Sequence, residues 1–508
     1  MEMIQKNTVA IAIWIIVIVL VITAACVSPG EKPVAHGPGN SSRAGVVQDR
    51  AIRNPVSPVS ASTGYTTHVP VTIQLGRPTD HSVNLNVVPA ENLELFAEYH
   101  NASETTVLRT PVATAGKGVP ANIVISGLTP DTGYLYHLCY QRPGNTTIQC
   151  SPDYSFHTWR APGSSFVFDV QADSHLDERA NEQLYMRTLE NELSDKPDFL
   201  IDLGDTFMTE KLPGKETGAV LQQYLRQRTD LSIIGHSVPL YLVLGNHDGE
   251  AGYSTDNGRN TLAPLSLQFR KQYFPNPEPD GFYTGNSVND SVTGKKQDYY
   301  AWEWGDALFV VLDPYWYTTA KPGGTADGWA WTLGETQYQW LEQTLQKSNA
   351  TYKFVFAHQL VGGDSQGRGG TEFASLYEWG GKNPDGSWGF DQQRPGWGVP
   401  IHQLLVDNNV TAFFHGHDHF FDKQEIDGIV YQEVPQPATI SPSGASPGAE
   451  YGYVSGVSLG SPGHLIITVS PESARVDYIR SHLPGENKSG EQNGAVVYSY
   501  SLTPEVTP

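Results

Sequence analysis

SSFVFDVQADSH, residues 164–175, runs from a short apolar stretch directly into Asp173, Ser174 and His175. The apolar part has the length and the aromatic and β-branched content of a buried strand, and it closes on side chains that ionise or bind ions. Residues two apart on an extended chain share a face, so Asp173 and His175 can point at one ion. Next comes the helical pattern ERANEQLYMRTLENELSD, with apolar positions at Leu184, Met186, Leu189 and Leu193, and then a second apolar strand, DFLIDLGD, which ends in Asp205. Strand, helix and strand in this order predict α/β organisation with sheets buried on both faces.

The same pattern recurs downstream. A helix through 220–233 precedes PLYLVLGNHD, which ends in Gly245, Asn246, His247 and Asp248. The hairpin YYAWEWGDALFVVLD, the helix ETQYQWLEQTLQKS and the strand YKFVFAHQ lead to His358; a helix near 400–407 and the strand TAFFHGH lead to His417, Asp418 and His419. Later strands, IVYQEV, HLIITVS, ARVDYIR and AVVYSYSL, complete a second sheet of the same domain. In an open α/β sheet, ligands bind beyond the carboxyl ends of the strands, so five strand ends converge on one place. A lone Asp-x-His arises by chance, Gly-Asp is a turn, and His358 alone reads as a core histidine. Five such ends in series read as a site.

Asp173, His175, Asp205, Asn246, His358, His417 and His419 offer carboxylate oxygens, imidazoles and one amide. That set suits Zn, Mn or Fe, and the absence of nearby cysteine argues against a closed structural zinc site. So many ligands imply two divalent or trivalent ions, a pair suited to in-line displacement at phosphorus. Neighbours on a strand point opposite ways, so Asn246 and His247 have different tasks. His415 lies two residues before His417 and reads as a supporting or core residue, and Phe413, Phe414, Phe420 and Phe421 read as the buried floor of the site.

Ahead of this domain, VNLNVV, LELFAEY, NIVISGL, YLYHLCY and DYSFHT alternate between turn clusters with no helical period. They predict a small antiparallel β-sandwich. The stretch ISGLTPDTGYLYHLCY, with Leu128, Thr129, Pro130, Tyr134 and Tyr136, and the closing YSFHTWRAPG resemble fibronectin type III domains, which precede the catalytic domain in purple acid phosphatases. Cys139 and Cys150 flank a Pro143-Gly144-Asn145 turn and are the only internal pair, so a bridge across a hairpin is expected.

At the N-terminus, Lys6 precedes an uncharged apolar run over residues 8–25 that stops at Ala24, Ala25 and Cys26. It predicts export, and it resembles a lipoprotein processing site with Cys26 as the lipidated residue; Thr23 departs from that pattern, and an uncleaved membrane anchor is the alternative. Residues 27–62 are a Pro-, Gly- and Ser-rich tether. Sequons at Asn40, Asn101, Asn145, Asn289, Asn349, Asn409 and Asn487 fit an extracytoplasmic chain. With 54 acidic against 32 basic residues and a net charge of -22, nucleic acid is excluded as a general partner, and membrane enters only through the N-terminal segment. The composition, with 50 Gly, 35 Pro and 17% charged residues, favours β-rich, loop-rich architecture.

The order Asp-x-His, Gly-Asp, Gly-Asn-His-Asp, His and Gly-His-x-His resembles the calcineurin-like metallophosphoesterase superfamily, in its purple-acid-phosphatase-like branch. The resemblance implies a phosphoester hydrolase in which Asp173, His175 and His419 hold one metal, Asn246, His358 and His417 the other, and Asp205 bridges. It implies attack on phosphorus by a metal-bound hydroxide, with His247 stabilising the transition state or protonating the leaving group and Asp248 orienting His247. Where purple enzymes carry a metal-binding tyrosine three residues after the bridging aspartate, this chain has Met208, and His175 stands where purple enzymes usually lack a histidine, so a colourless enzyme is expected.

The expected organisation is a targeting segment at 1–26, the tether at 27–62, the sandwich at 63–160, a two-sheet catalytic domain flanked by helices at 163–482, and a C-terminal strand and tail at 483–508. The expected substrate is a small phosphate monoester. Phosphodiesterase or nucleotidase activity and a non-catalytic surface binding protein are the alternatives. Arg259 and Arg368 are the phosphate-clamp candidates, on long loops that also carry Trp379, Trp388 and Trp397 as either a lid or loop packing.

Overall fold

The computed structural model describes residues 69–503, apart from 178, 255–261, 291–292, 322–326, 365, 440–447 and 487–491. Cys26 and Arg259 lie outside the described residues.

Two antiparallel sheets form the N-terminal part. One orders Val71–Gly76, Ser82–Pro89 and Ala121–Ser126; the other is built on Leu93–Asn101 and Gly133–Gln141. Period-two alternation places Val83, Leu85 and Val87 of one sheet against Leu93, Leu95, Tyr136 and Leu138 of the other. Tyr134 Oη accepts a 2.9 Å hydrogen bond from the Thr129 N–H, pinning the turn at Leu128–Pro130 as a tyrosine corner does. A disulfide joins Cys139 and Cys150 across paired strands.

The larger part is a second sandwich. Its six-stranded sheet runs Leu240–Leu242, Phe199–Asp202, Phe166–Gln171, Gly463–Val469, Ala474–Arg480 and Ala495–Leu502, with the first three parallel. Its eight-stranded sheet has Ala307–Val311, Tyr352–Phe356, Ala412–His415 and Ile429–Glu433 parallel at its centre. Alternation again divides the faces. Phe309, Phe354, Phe356 and Phe414 turn inward onto Phe168, Phe199 and Tyr241 of the facing sheet. Leu308, Val310, Val355 and Phe413 turn outward beneath the helices Glu335–Lys347 and Ile401–Asp407. The other outer face carries Glu182–Asp195, Thr217–Gly235 and Leu262–Tyr273. The fold is therefore a mixed α/β sandwich flanked by helices and preceded by an all-β region.

Three local expectations change. The helix expected from residue 178 begins at Glu182, because the Asn181 side chain accepts the Leu184 N–H at 3.1 Å and caps it. Met186 is 41% exposed; the buried face is Leu184, Tyr185, Thr188, Leu189 and Glu192, which Met186 misses by about half a turn. The helix Leu262–Tyr273 went unread because Pro264 breaks the pattern, yet Pro264 sits in its first turn, where no intrahelical N–H is required.

The two parts meet around Arg228, buried on the helix Thr217–Gly235. Its guanidinium donates to Thr72 Oγ1 at 2.9 Å, to the Asn86 carbonyl at 2.6 Å and to the Tyr273 carbonyl, so one side chain ties the first sheet to two catalytic-domain helices. Burial lowers its pKa to about 9, still charged at neutral pH.

Candidate metal centre

The parallel strands Leu240–Leu242, Phe199–Asp202 and Phe166–Gln171 end side by side, as do Tyr352–Phe356 and Ala412–His415 in the facing sheet. Just beyond these ends the backbone turns sharply. Asp173 (φ 59), His175 (φ 58), Asp205 (φ 51), His417 (φ 78) and His419 (φ 70) all adopt the left-handed region that non-glycine residues avoid. Asp and His tolerate it better than branched side chains, and the conformation swings each side chain off the strand towards the others.

Glycines make the approach possible. A Cβ on Gly204 (φ 99) would stand 2.4 Å from the Gly245 nitrogen, and one on Gly245 would stand 2.1 Å from the Asp205 nitrogen. The glycines of Gly-Asp and Gly-Asn-His-Asp thus pack backbone on backbone. A Cβ on Gly416 would lie 2.6 Å from Asp173 Oδ2, the oxygen that accepts the His417 N–H at 2.8 Å.

Two sets of donors result. Asp173, His175 and His419 form one, and Asp205, His358 and His417 the other, each with its donor atoms within 4.8 Å of one another. His175 Nε2 lies 3.6 Å from both Asp173 Oδ1 and Asp205 Oδ2, so Asp205 stands between the sets. Asn246 Oδ1 is 3.1 Å from His358 Nε2 and joins the second. The imidazoles are oriented from behind. The Leu203 carbonyl accepts from His358 Nδ1 at 2.8 Å, and the Gln366 carbonyl accepts from His417 Nε2 at 3.1 Å, so that His358 Nε2 and His417 Nδ1 are the ring nitrogens turned towards the donor sets. Asp177 Oδ2 stands 3.5 Å behind His175 Nδ1.

These residues fit metal ions. Asp173 Oδ1, His175 Nε2 and His417 Nδ1 are buried with no hydrogen-bond partner, although buried polar atoms are almost always satisfied. Burial opposes charge on Asp173, but His358 and His419 outweigh it and hold the carboxyl far below its usual range. Burial likewise opposes charge on His358, yet Asp205 and Asp173 lift it to about 9. Positive charge is therefore strongly favoured at the heart of the centre. His417, by contrast, is driven well below its usual value by burial, then by His358 and Arg368.

His247 stands at the edge of both sets. Its N–H donates to Asp205 Oδ1 at 2.7 Å, its Nε2 is 4.0 Å from Asp205 Oδ2, and its Nδ1 lies 3.0 Å from Glu210 Oε2. The hydrogen bond from His247 holds Glu210 down to about 2 against burial, with Lys321 assisting from 3.3 Å. Glu210 therefore fixes the orientation of the ring.

That replaces the role expected of Asp248. Its carboxylate accepts the N–H groups of Asp205 (3.1 Å), Gly245 (2.9 Å) and Phe207 (2.7 Å), so it clamps the two glycine turns together rather than orienting His247. Arg368 Nη1 donates to Asp418 Oδ1 at 2.8 Å and to the His417 carbonyl at 2.9 Å, bracing the loop between His417 and His419. From the opposite side Glu433 Oε1 accepts the Asp418 and His419 N–H groups, and His415 Nδ1 lies 2.8 Å from Glu433 Oε2. Of the loop tryptophans, Trp379 is buried against Phe413 and donates to Tyr431 Oη, which makes it core, while Trp388 is 54% exposed.

Glu210 was missed because it lies beyond Met208, whose own left-handed turn (φ 54) opens the 3₁₀ turn Thr209–Lys211 and carries the chain back to His247. A short polar run between a strand end and a helix gives no periodic signal for such a return. The surviving clue was the acidic residue itself, five positions after Asp205.

Two helix-flanked sheets whose parallel strands converge on paired His and carboxylate sets define a binuclear metallohydrolase. The calcineurin-like phosphoesterase family model matches residues 166–421, half of the chain, and this chain belongs to that family. No curated protein matches the chain in sequence. Among solved structures, the purple acid phosphatase PPD1 from yellow lupin (Lupinus luteus) seeds is similar at 14% identity and a TM-score of 0.57, over 85% of this chain and 74% of that one. The structure of PhoD is similar at 15% identity and a TM-score of 0.60, over 85% of this chain and 90% of its own. At such identities the likeness is one of fold. The chain is thus a metal-dependent phosphoester hydrolase.

Proposed function

We propose that this enzyme is an extracytoplasmic phosphomonoesterase with one metal ion held by Asp173, His175, His419 and Asp205 and a second by Asp205, Asn246, His358 and His417. When bound, the ions, drawn from Fe, Zn or Mn, would supply Lewis acidity and an activated water. The chain's own residues do the rest. His247, held through Nδ1 by the Glu210 carboxylate and contacted at Nε2 by the Asn246 amide Nδ2 at 3.1 Å, is the residue placed to pass a proton to the leaving oxygen. Lys321, beside Glu210, offers the mouth of the centre positive charge that a dianionic monoester needs more than a diester does. Met208 in place of a metal-binding tyrosine supports a colourless enzyme.

The observation that carries this reading is His247: it lies outside both donor sets, yet is aimed at them and held by a carboxylate. The disulfide, the apolar N-terminal run and the sequons support a location outside the cytoplasm, with membrane attachment through the N-terminal segment alone. Among the described residues no helix is long and apolar enough to cross a membrane.

Turnover of para-nitrophenyl phosphate against its bis-ester, with each candidate metal added, tests the proposal. Preference for the monoester is expected; preference for the bis-ester would move the reading to a phosphodiesterase. A strong visible charge-transfer band in the purified protein would overturn the colourless assignment.

A further inference from the structure

Behind the first strand, on the face turned away from the sandwich core, lies another group of ligand-type side chains. Phe168 and Val170 of Phe166–Gln171 face the core, so Asp169 between them faces the helix Glu182–Asp195. The neighbouring antiparallel strand pairs Ile466 with Asp169, which puts His464, two residues on, diagonally beside Asp169 on the same outer face. The helix crosses this face with Glu192 and Asp195, three apart and so on one side of its last turn. Donor atoms of Asp169, Asp195 and His464 lie within 4.8 Å of one another, and His464 Nε2 is 2.8 Å from Asp195 Oδ2.

The satisfaction of these groups is abnormal. Asp169, Glu192 and His464 are all 0% exposed. Neither oxygen of Asp169, neither oxygen of Glu192, nor His464 Nδ1 has a hydrogen-bond partner. A buried carboxylate without a partner costs several kcal/mol or takes up a proton, and two beside a third carboxylate cost more. In keeping with this, burial, with Asp195 and Glu192 alongside, drives the Asp169 carboxyl well above its usual range, and burial, with Asp195 and Asp202, does the same to Glu192. The Asp195 side chain, 22% exposed, provides a route to solvent.

We propose that Asp169, Asp195 and His464 bind a third divalent transition ion, Mn²⁺ or Zn²⁺, with Glu192 completing the charge balance. Two carboxylates and an imidazole without sulfur match those ions. The ion ties together three segments far apart in sequence: the first strand, the helix after it and the antiparallel strand Gly463–Val469. Its binding energy therefore adds to the stability of the strand that leads to Asp173. The site contains none of the catalytic residues, so its test is read whether or not the enzyme prefers monoesters.

The experiment compares metal content and thermal unfolding of the full chain, wild type against Asp169→Asn and His464→Gln, after chelation and re-addition of Mn²⁺ or Zn²⁺. Each variant should hold one ion fewer per chain, lose part of the metal-dependent rise in Tm and keep turnover within about twofold, because the sites are independent. Folded variants that bind as many ions as wild type would overturn the proposal, leaving carboxyls that share protons. Should either variant fail to fold, anomalous scattering from wild-type crystals grown with Mn²⁺ decides instead. A peak between Asp169 and His464 supports the site; an occupied catalytic centre with no such peak overturns it.

Discussion

In the described part of the N-terminal sandwich, the non-glycine residues with positive φ are Arg77 and Asp131, in turns outside the strands. In the catalytic sandwich they include Asp173, His175, Asp205, His417 and His419, at the ends of parallel strands. Both regions pack two sheets over an apolar core by the same period-two rule. Their strand ends differ: one sandwich closes in ordinary turns, and the other holds unfavourable backbone where the chemistry is. Such conformations cost about 1–3 kcal/mol each and persist only where the surroundings over-determine them. Here the surroundings are the glycine contacts, the Asp248 clamp and the Arg368–Asp418 brace.

Substitutions should therefore split into those that remove turnover and those that remove stability. Asp205→Ala, which takes away the group between the two donor sets, should reduce turnover to background and lower metal content; retained activity would break the contrast. Glu210→Gln should cost about ten- to a hundredfold in kcat with metal content unchanged. Because the folded-state pKa of Glu210 is lowered from 4.5 to about 2, its carboxylate contributes fully above about pH 4.5 and is lost only as pH falls towards 2. The kcat penalty of Glu210→Gln should accordingly be constant from pH 5 to 8, which a pH profile of both proteins checks. On the other side of the contrast, Arg228→Ala should destabilise by about 3 kcal/mol, by stranding buried carbonyls, and leave kcat nearly unchanged; denaturant unfolding reads this. The smallest effect is expected of Asp248→Asn, about 1–2 kcal/mol, from turning one acceptor into a donor beside backbone N–H groups. If its kcat fell as far as that of Glu210→Gln, Asp248 would have to act on His247 after all.

The strand-end motifs were legible because each combines an apolar run with metal-ligand residue types, and both signals are local. The two-sheet α/β organisation of the catalytic domain was legible in the same way, from the alternation of strands and helices. What escaped depends on contacts made across the fold. Glu210 reaches His247 only through the turn at Met208, and Asp248 reads as a catalytic neighbour until its three backbone donors are seen. Asp169 looks like one polar residue in an apolar strand, and only the antiparallel pairing with residues almost three hundred positions later brings His464 beside it. In sequence Trp379 reads as loop packing, with a lid as the alternative, and its burial against Phe413 agrees with packing.

The most direct test of the centre compares two adjacent residues that should have different tasks. Metal content and turnover are measured side by side for Asn246→Ala and His247→Ala. Asn246→Ala should lose both metal and turnover, whereas His247→Ala should keep its full metal content and lose about 10²–10⁴-fold in kcat. Equal loss of metal in the two variants would contradict the division between ligand and proton donor on which the account rests.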